Sequence, residues 1–209
     1  MNQGEPCSYL ALGDSYTIGE GIQPLDRWCD QLSRRLSESG QPASSPDVIA
    51  QTGWTTGDLL NAIRSKGTTS RHYSIVSLLV GVNNHYRGQS PDTYRTEFRE
   101  LLTSARTIAG SRGIVIVLSI PDYSVTPFAL SMDRDRVRRE IDDFNRIAQS
   151  ECEDTHIDFI NITDLSRLAA HDGEMLAPDG LHYSGKMYAL WVNQVLPFMQ
   201  DRTSEDVGP

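Results

Sequence analysis

Three residue types placed far apart in this chain could together break an acyl bond. Ser15 follows a short apolar run in YLALGDSYTIGEG, where the run stops at Gly13-Asp14-Ser15. Asp179 precedes His182 by three residues in APDGLHYSG, and a short turn at that spacing sets a carboxylate beside an imidazole. A serine hydroxyl becomes a nucleophile when a base takes its proton, and the base works best when a third group orients it. Ser15 is therefore the candidate nucleophile, His182 the base and Asp179 the orienting acid. Asp14 is a rival acid, but it adjoins Ser15 and its side chain is expected to shape the turn. The oxyanion formed in such a reaction needs hydrogen-bond donors aimed at it beforehand. The amide of Ser15, the N–H of Gly53 and the side-chain amide of Asn83 are the candidates.

Elements must bring these groups together. Apolar runs at residues 7–13, 47–53, 73–84, 113–121 and 156–163 read as five strands. Helical periodicity lies between them: Trp28, Leu32 and Leu36 on one face, with Asp26 as the expected N-cap; Leu59, Leu60 and Ile63; Tyr94, Phe98, Leu101, Leu102, Ala105 and Ile108; Val137, Ile141, Phe144 and Ala148. A last helix over residues 184–200 is expected to bury Met187, Leu190, Trp191, Val195 and Phe198. Continuous Val/Ile/Leu runs are buried on both faces, which predicts a parallel sheet between two helical layers. The expected fold class is one α/β domain over residues 1–209: a three-layer α/β/α sandwich with a five-stranded, flavodoxin-like sheet and a frayed tail at 201–209. Ligands of such sheets gather at the carboxyl ends of the strands. There the residues after each run, Ser15, Gly53, Asn83 and Tyr123 among them, would share one rim.

The motifs GDSYTIGEG, Gly53 after the second run, GVNN and DGLH resemble the four blocks of the SGNH hydrolases, the GDSL esterases and lipases. The resemblance runs from residue 9 to 186. It implies a flavodoxin-like sheet and ester hydrolysis through a Ser15–His182–Asp179 triad, with Ser15, Gly53 and Asn83 forming the oxyanion hole and no metal or organic cofactor. Two positions depart from the family pattern: Asn84 stands where Asp commonly follows the third-block Asn, and Tyr183 where Pro often follows the His. The segment is not the α/β-hydrolase elbow, which needs Gly where Thr17 stands, nor a P-loop.

Substrate contacts are less legible. Trp54, His85 and Tyr123, with Tyr16 and Tyr86, flank strand ends and are candidate pocket residues, and the loop over residues 121–132 is expected to form one wall. The run DRDRVRRE at 133–140 reads as a solvated helix face. The net charge of −9 argues against a nucleic-acid partner and against anionic lipid. The expected partner is a small-molecule ester: a small acyl ester or a lysophospholipid, with a sugar O-acetyl ester or an acyl-thioester as the alternative. A non-catalytic ligand-binding module of the same fold is the reading from another class. Cys7, Cys29 and Cys152 lack paired spacing and read as thiols, and His72, His156 and His171 show no metal-ligand spacing. No apolar run is long enough to cross a bilayer, nor is there a signal-like leader, so the expected location is cytoplasmic. Oligomeric state is not encoded in any feature of the sequence.

Overall fold

A computed structural model describes residues 6–67 and 72–205. Five strands form one parallel sheet: β1 (Tyr9–Gly13), β2 (Asp47–Ala50), β3 (Ile75–Leu79), β4 (Ile114–Leu118) and β5 (Asp158–Ile160). Their order is β2-β1-β3-β4-β5, the flavodoxin-like order. All four pairings are parallel. Every residue of β1 and β3 is buried, as expected for strands covered on both faces.

One helical layer pairs α2 (Trp28–Glu38) with α8 (Gly185–Glu205). The other packs α3 (Thr56–Lys66) on α5 (Pro91–Ala109), and α5 on α6 (Arg134–Asp154). Thr55 and Asp58 form a reciprocal capping box at the start of α3, which satisfies two otherwise orphaned N–H groups. Trp28 of α2 and Trp191 of α8 are fully buried, so this layer holds two of the largest side chains in the core. Cys29 and Cys152 are buried thiols. No described helix is long and apolar enough to cross a membrane.

Several boundaries differ from the pattern reading. The third apolar run does not stay extended to Asn84: β3 ends at Leu79, Gly81 turns the chain at φ +137°, and Val82–Tyr86 form a short helix, α4. Asp26 does not cap α2; it closes a 3₁₀ turn over Pro24–Asp26, and Arg27 takes the cap position. Phe198 is not buried but 38% exposed, because the buried stripe of α8 runs Met187, Trp191, Val195, Met199 at steps of four. α8 extends to Glu205, within the stretch expected to fray, and residues 206–209 lie outside the described residues.

At the rim, Gly13 pairs with Leu79 of β3 and Ala50 of β2, so three strands end at one level. A Cβ at Gly13 would lie 2.4 Å from the Leu79 carbonyl oxygen and 2.2 Å from Thr17 Oγ1. The backbone oxygen cannot move without disturbing the sheet. Gly13→Ala is therefore expected to destabilise the protein by about 1–3 kcal/mol, the usual range for overpacking a tight core. Urea denaturation measures this, and an unchanged midpoint would show that the rim relaxes freely.

Candidate active site

Ser15 opens α1 (Ser15–Ile18), a single turn immediately after β1. Asp14 is the N-cap of this turn, and its Oδ1 accepts the Tyr16 N–H at 3.1 Å. This is the turn-shaping role expected of Asp14. The other oxygen, Oδ2, is buried without a hydrogen-bond partner. Burial, opposed by backbone N–H groups, pushes the Asp14 carboxyl up to about 7. Gly19 ends the turn in the left-handed conformation.

His182 enters the same rim from the loop before α8. Asp179 makes three hydrogen bonds there. Its Oδ1 accepts the N–H groups of Leu181 and His182, both at 2.9 Å, and its Oδ2 meets His182 Nδ1 at 2.6 Å. Burial alone would raise the Asp179 pKa, but the imidazole and the two N–H groups outweigh it and hold the carboxyl below its ordinary range. The carboxylate places the ring proton on Nδ1, which leaves Nε2 as the basic nitrogen. Gly180, at φ +69°, permits the turn. The turn is tied inward by Ala177 N–H to the His182 carbonyl at 2.8 Å.

Ser15 and His182 line one cleft with Gly53 and Asn83. Its volume is about 490 Å³, the open mouth included. Gly53 has φ +83°, a conformation that side chains rarely adopt, and Arg87 donates to its carbonyl. Arg87 also pairs with Asp58 at 3.5 Å. Asn83 sits on α4 and donates one Nδ2 hydrogen to the Trp54 carbonyl at 2.9 Å. An amide nitrogen carries two hydrogens, so one remains for a ligand. Asn84, the residue that departs from the family pattern, is fully buried: its Oδ1 accepts the Thr56 N–H at 3.0 Å, and its Nδ2 donates to Thr56 Oγ1 and Gln89 Oε1. It thus bolts the Asn83 turn to the start of α3.

The predicted substrate contacts separate. Tyr123 lines the cleft, as do Tyr16 and Tyr86. Trp54 does not; its ring packs against the core, and its carbonyl serves Asn83. His85 does not line the cleft either. It stands behind Tyr123, with Nδ1 at 3.2 Å from the Tyr123 hydroxyl and Nε2 at 2.8 Å from Glu140 Oε2. Glu140 was expected on a solvated face, and its side chain is 42% exposed there while one oxygen reaches the imidazole. Tyr183 points its hydroxyl at the Asp122 carbonyl rather than into the cleft.

The loop after β4 forms a wall as expected, through Tyr123 and Phe128. It folds as two 3₁₀ turns, Tyr123–Val125 and Pro127–Ser131. Its start is fixed by the fully buried Asp122, which pairs with Arg167 Nε at 2.8 Å. Its far half is fixed by Phe128 N–H to the Gly180 carbonyl at 3.3 Å, inside the Asp179 turn. Phe128, Val82, Thr52 and Leu181 also line the cleft and were not singled out from sequence. Only the loop carrying Phe128 had a signal, namely its position after a strand.

A flavodoxin-like sheet with a serine, an acid-bound histidine and amide donors on one rim defines a hydrolase-type architecture. The model of the GDSL-like lipase/acylhydrolase family matches residues 11–190, and the chain belongs to that family. Solved structures share the fold at low identity. TesA has 17% identity and a TM-score of 0.74, covering 93% of this chain and 99% of its own. The lipase Lip_vut3 from a goat rumen metagenome has 19% identity and a TM-score of 0.73, over 91% and 96%. The acetylxylan esterase Axe2 from Geobacillus stearothermophilus has 18% identity and a TM-score of 0.69, over 94% and 95%. A search of curated proteins found no match.

The raised Asp14 carboxyl has a measurable consequence. Between about pH 4 and 7 the unfolded chain is ionised at this residue while the folded one keeps its proton. The folded state thus holds more protons, and stability falls as pH rises through that window. Asp14→Asn keeps the Oδ1 acceptor and removes the titration. The loss of urea stability from pH 4 to pH 8 should therefore be smaller in the variant. An equal loss in both proteins would mean that Asp14 ionises like a free carboxyl.

Proposed function

We propose that the protein is a serine esterase that cleaves carboxylic esters through an acyl-enzyme. The observation that carries this reading is the 2.6 Å contact between His182 Nδ1 and Asp179, on a ring that shares its cleft with Ser15. A binding module has no need of an imidazole held in one tautomer beside a serine. His182 Nε2 takes the Ser15 proton as Oγ attacks the ester carbonyl, and the Asp179 carboxylate stabilises the imidazolium that results. The Ser15 and Gly53 N–H groups and the free Nδ2 hydrogen of Asn83 receive the oxyanion. The imidazolium returns its proton to the leaving alcohol. Water, deprotonated by His182 in turn, then releases the acid.

The cleft suits a small ester: the polar groups of Ser15, Gly53 and Asn83 share its lining with Val82, Leu181 and aromatic side chains. Small acyl esters are the leading substrate class. Lysophospholipids, sugar O-acetyl esters and acyl-thioesters use the same chemistry, and an acyl-chain-length profile on chromogenic esters separates them.

Purified protein should turn over p-nitrophenyl acetate, and Ser15→Ala should lower kcat by up to ~10⁶-fold, the loss seen when a triad serine is removed. A wild type without turnover would favour the binding module. Turnover unchanged by Ser15→Ala would remove Ser15 from the mechanism.

A further inference from the structure

Three aromatic rings stand together at the cleft, and ester hydrolysis by the Ser15 machinery does not require them. Tyr86, Tyr123 and Phe128 all line it. Their centroids are 5.8 to 6.4 Å apart, and each pair is inclined by more than 50°, so the rings meet edge-to-face or tilted in one cluster. Tyr86 is 55% exposed and Phe128 40% exposed, and Tyr123, 3% exposed, is the buried floor beneath them. Two rings left in water over such a floor, at the mouth of a site, await an occupant.

Charge indicates which occupant. None of the residues lining the cleft is a lysine or an arginine. Carboxylates do surround it: Glu20 accepts the hydroxyl of the lining Thr52, Asp179 holds His182, and Glu140 stands behind Tyr123. The nearby guanidinium groups all have partners. Arg87 faces the Gly53 carbonyl and Asp58, Arg134 the Ser124 carbonyl, and Arg136 pairs with Glu140 at 3.5 Å. The chain as a whole carries a charge of −9.

The hydrogen bonds behind Tyr123 act in the same direction. In the tautomer that donates Nε2–H to the Glu140 carboxylate, His85 Nδ1 accepts from the Tyr123 hydroxyl. Such a chain polarises along its length and moves electron density toward the phenol ring. A more negative ring face attracts a cation more strongly. His85 is then a positioning residue that acts on the site through Tyr123.

We infer that Tyr86, Tyr123 and Phe128 form an aromatic box for a quaternary ammonium group, so that the preferred substrates are esters of choline-like cationic alcohols. A cation can stand within about 6 Å of all three ring centroids at this spacing, the range over which ring faces attract it. The inference concerns the leaving-group side of the cleft and rests on the esterase reading for its catalytic part.

The test compares acetylcholine with 3,3-dimethylbutyl acetate, which has the same shape but carbon in place of the charged nitrogen. In the wild type, kcat/KM should favour the cation by about tenfold, the factor that corresponds to a partly desolvated cation–π contact. Phe128→Leu and Tyr86→Leu keep apolar bulk and remove a ring face, and each should move the ratio toward one. A wild-type ratio of one or less overturns the box. Binding decides the matter without turnover: calorimetry on the Ser15→Ala protein at about 0.15 M salt should find choline tighter than 3,3-dimethylbutan-1-ol by a similar factor. Equal or weaker choline binding overturns the inference even if p-nitrophenyl acetate is hydrolysed. Choline binding without any ester turnover would sink only the esterase reading. Glycerophosphocholine run beside choline tells whether the cation arrives on a simple alcohol or on a lipid headgroup.

Discussion

The Asp179 carboxylate, which serves backbone and imidazole at once, is the interaction on which the site depends. One oxygen closes the turn through two N–H groups, and the other fixes the ring of His182. The same atoms thus stabilise the loop and choose the tautomer. Separating these tasks would need a second acid, and the neighbouring Asp14 already caps the Ser15 turn through its Oδ1. The depressed Asp179 carboxyl follows directly, since every contact it makes favours its charged form.

Polar anchoring extends outward from this point. The loop carrying Gly53 is held by Arg87, the turn carrying Asn83 by Asn84, and the wall after β4 by Asp122 and Arg167. A charge buried as fully as Asp122 is costly unless paired and hydrogen-bonded. Here Asp122 Oδ2 accepts from Arg167, and its Oδ1 accepts the Ser124 N–H at 2.9 Å. Arg167 reaches Asp142 and Asp164 as well, so one guanidinium joins the wall, α6 and the segment after β5. Glu151 plays a comparable part away from the site: nearly fully buried on α6, it receives Arg95 and Arg99 from α5.

Much of this was legible in the sequence because periodicity and strand-end position are local signals. Five strands, their alternation with helices and the placement of Ser15, Gly53, Asn83 and His182 near strand ends or loops could be read from apolar runs and motif order. What escaped had a tertiary cause. The third run is apolar to Val82, so nothing in its composition announces that Gly81 turns the chain and puts Asn83 on a helix. Trp54 and His85 both adjoin motif residues, and only three-dimensional packing shows one ring turned to the core and the other set behind Tyr123. Glu140 lies in a run of alternating charges and reads as solvated, yet it finds an imidazole 55 residues away. Phe128 carried no signal beyond the loop that bears it.

The bond from Phe128 N–H to the Gly180 carbonyl joins the wall of the cleft to the turn that carries His182. Loops of this kind are where related enzymes can vary in length while their sheets stay constant. In this chain an insertion between Asp122 and Phe128 would pull on Gly180 and tilt the imidazole, whereas added length beyond Ala129 would leave that tie intact. Divergence in what the cleft admits is therefore channelled to the distal end of the loop, with the Asp179–His182 pair insulated from it by a single peptide contact.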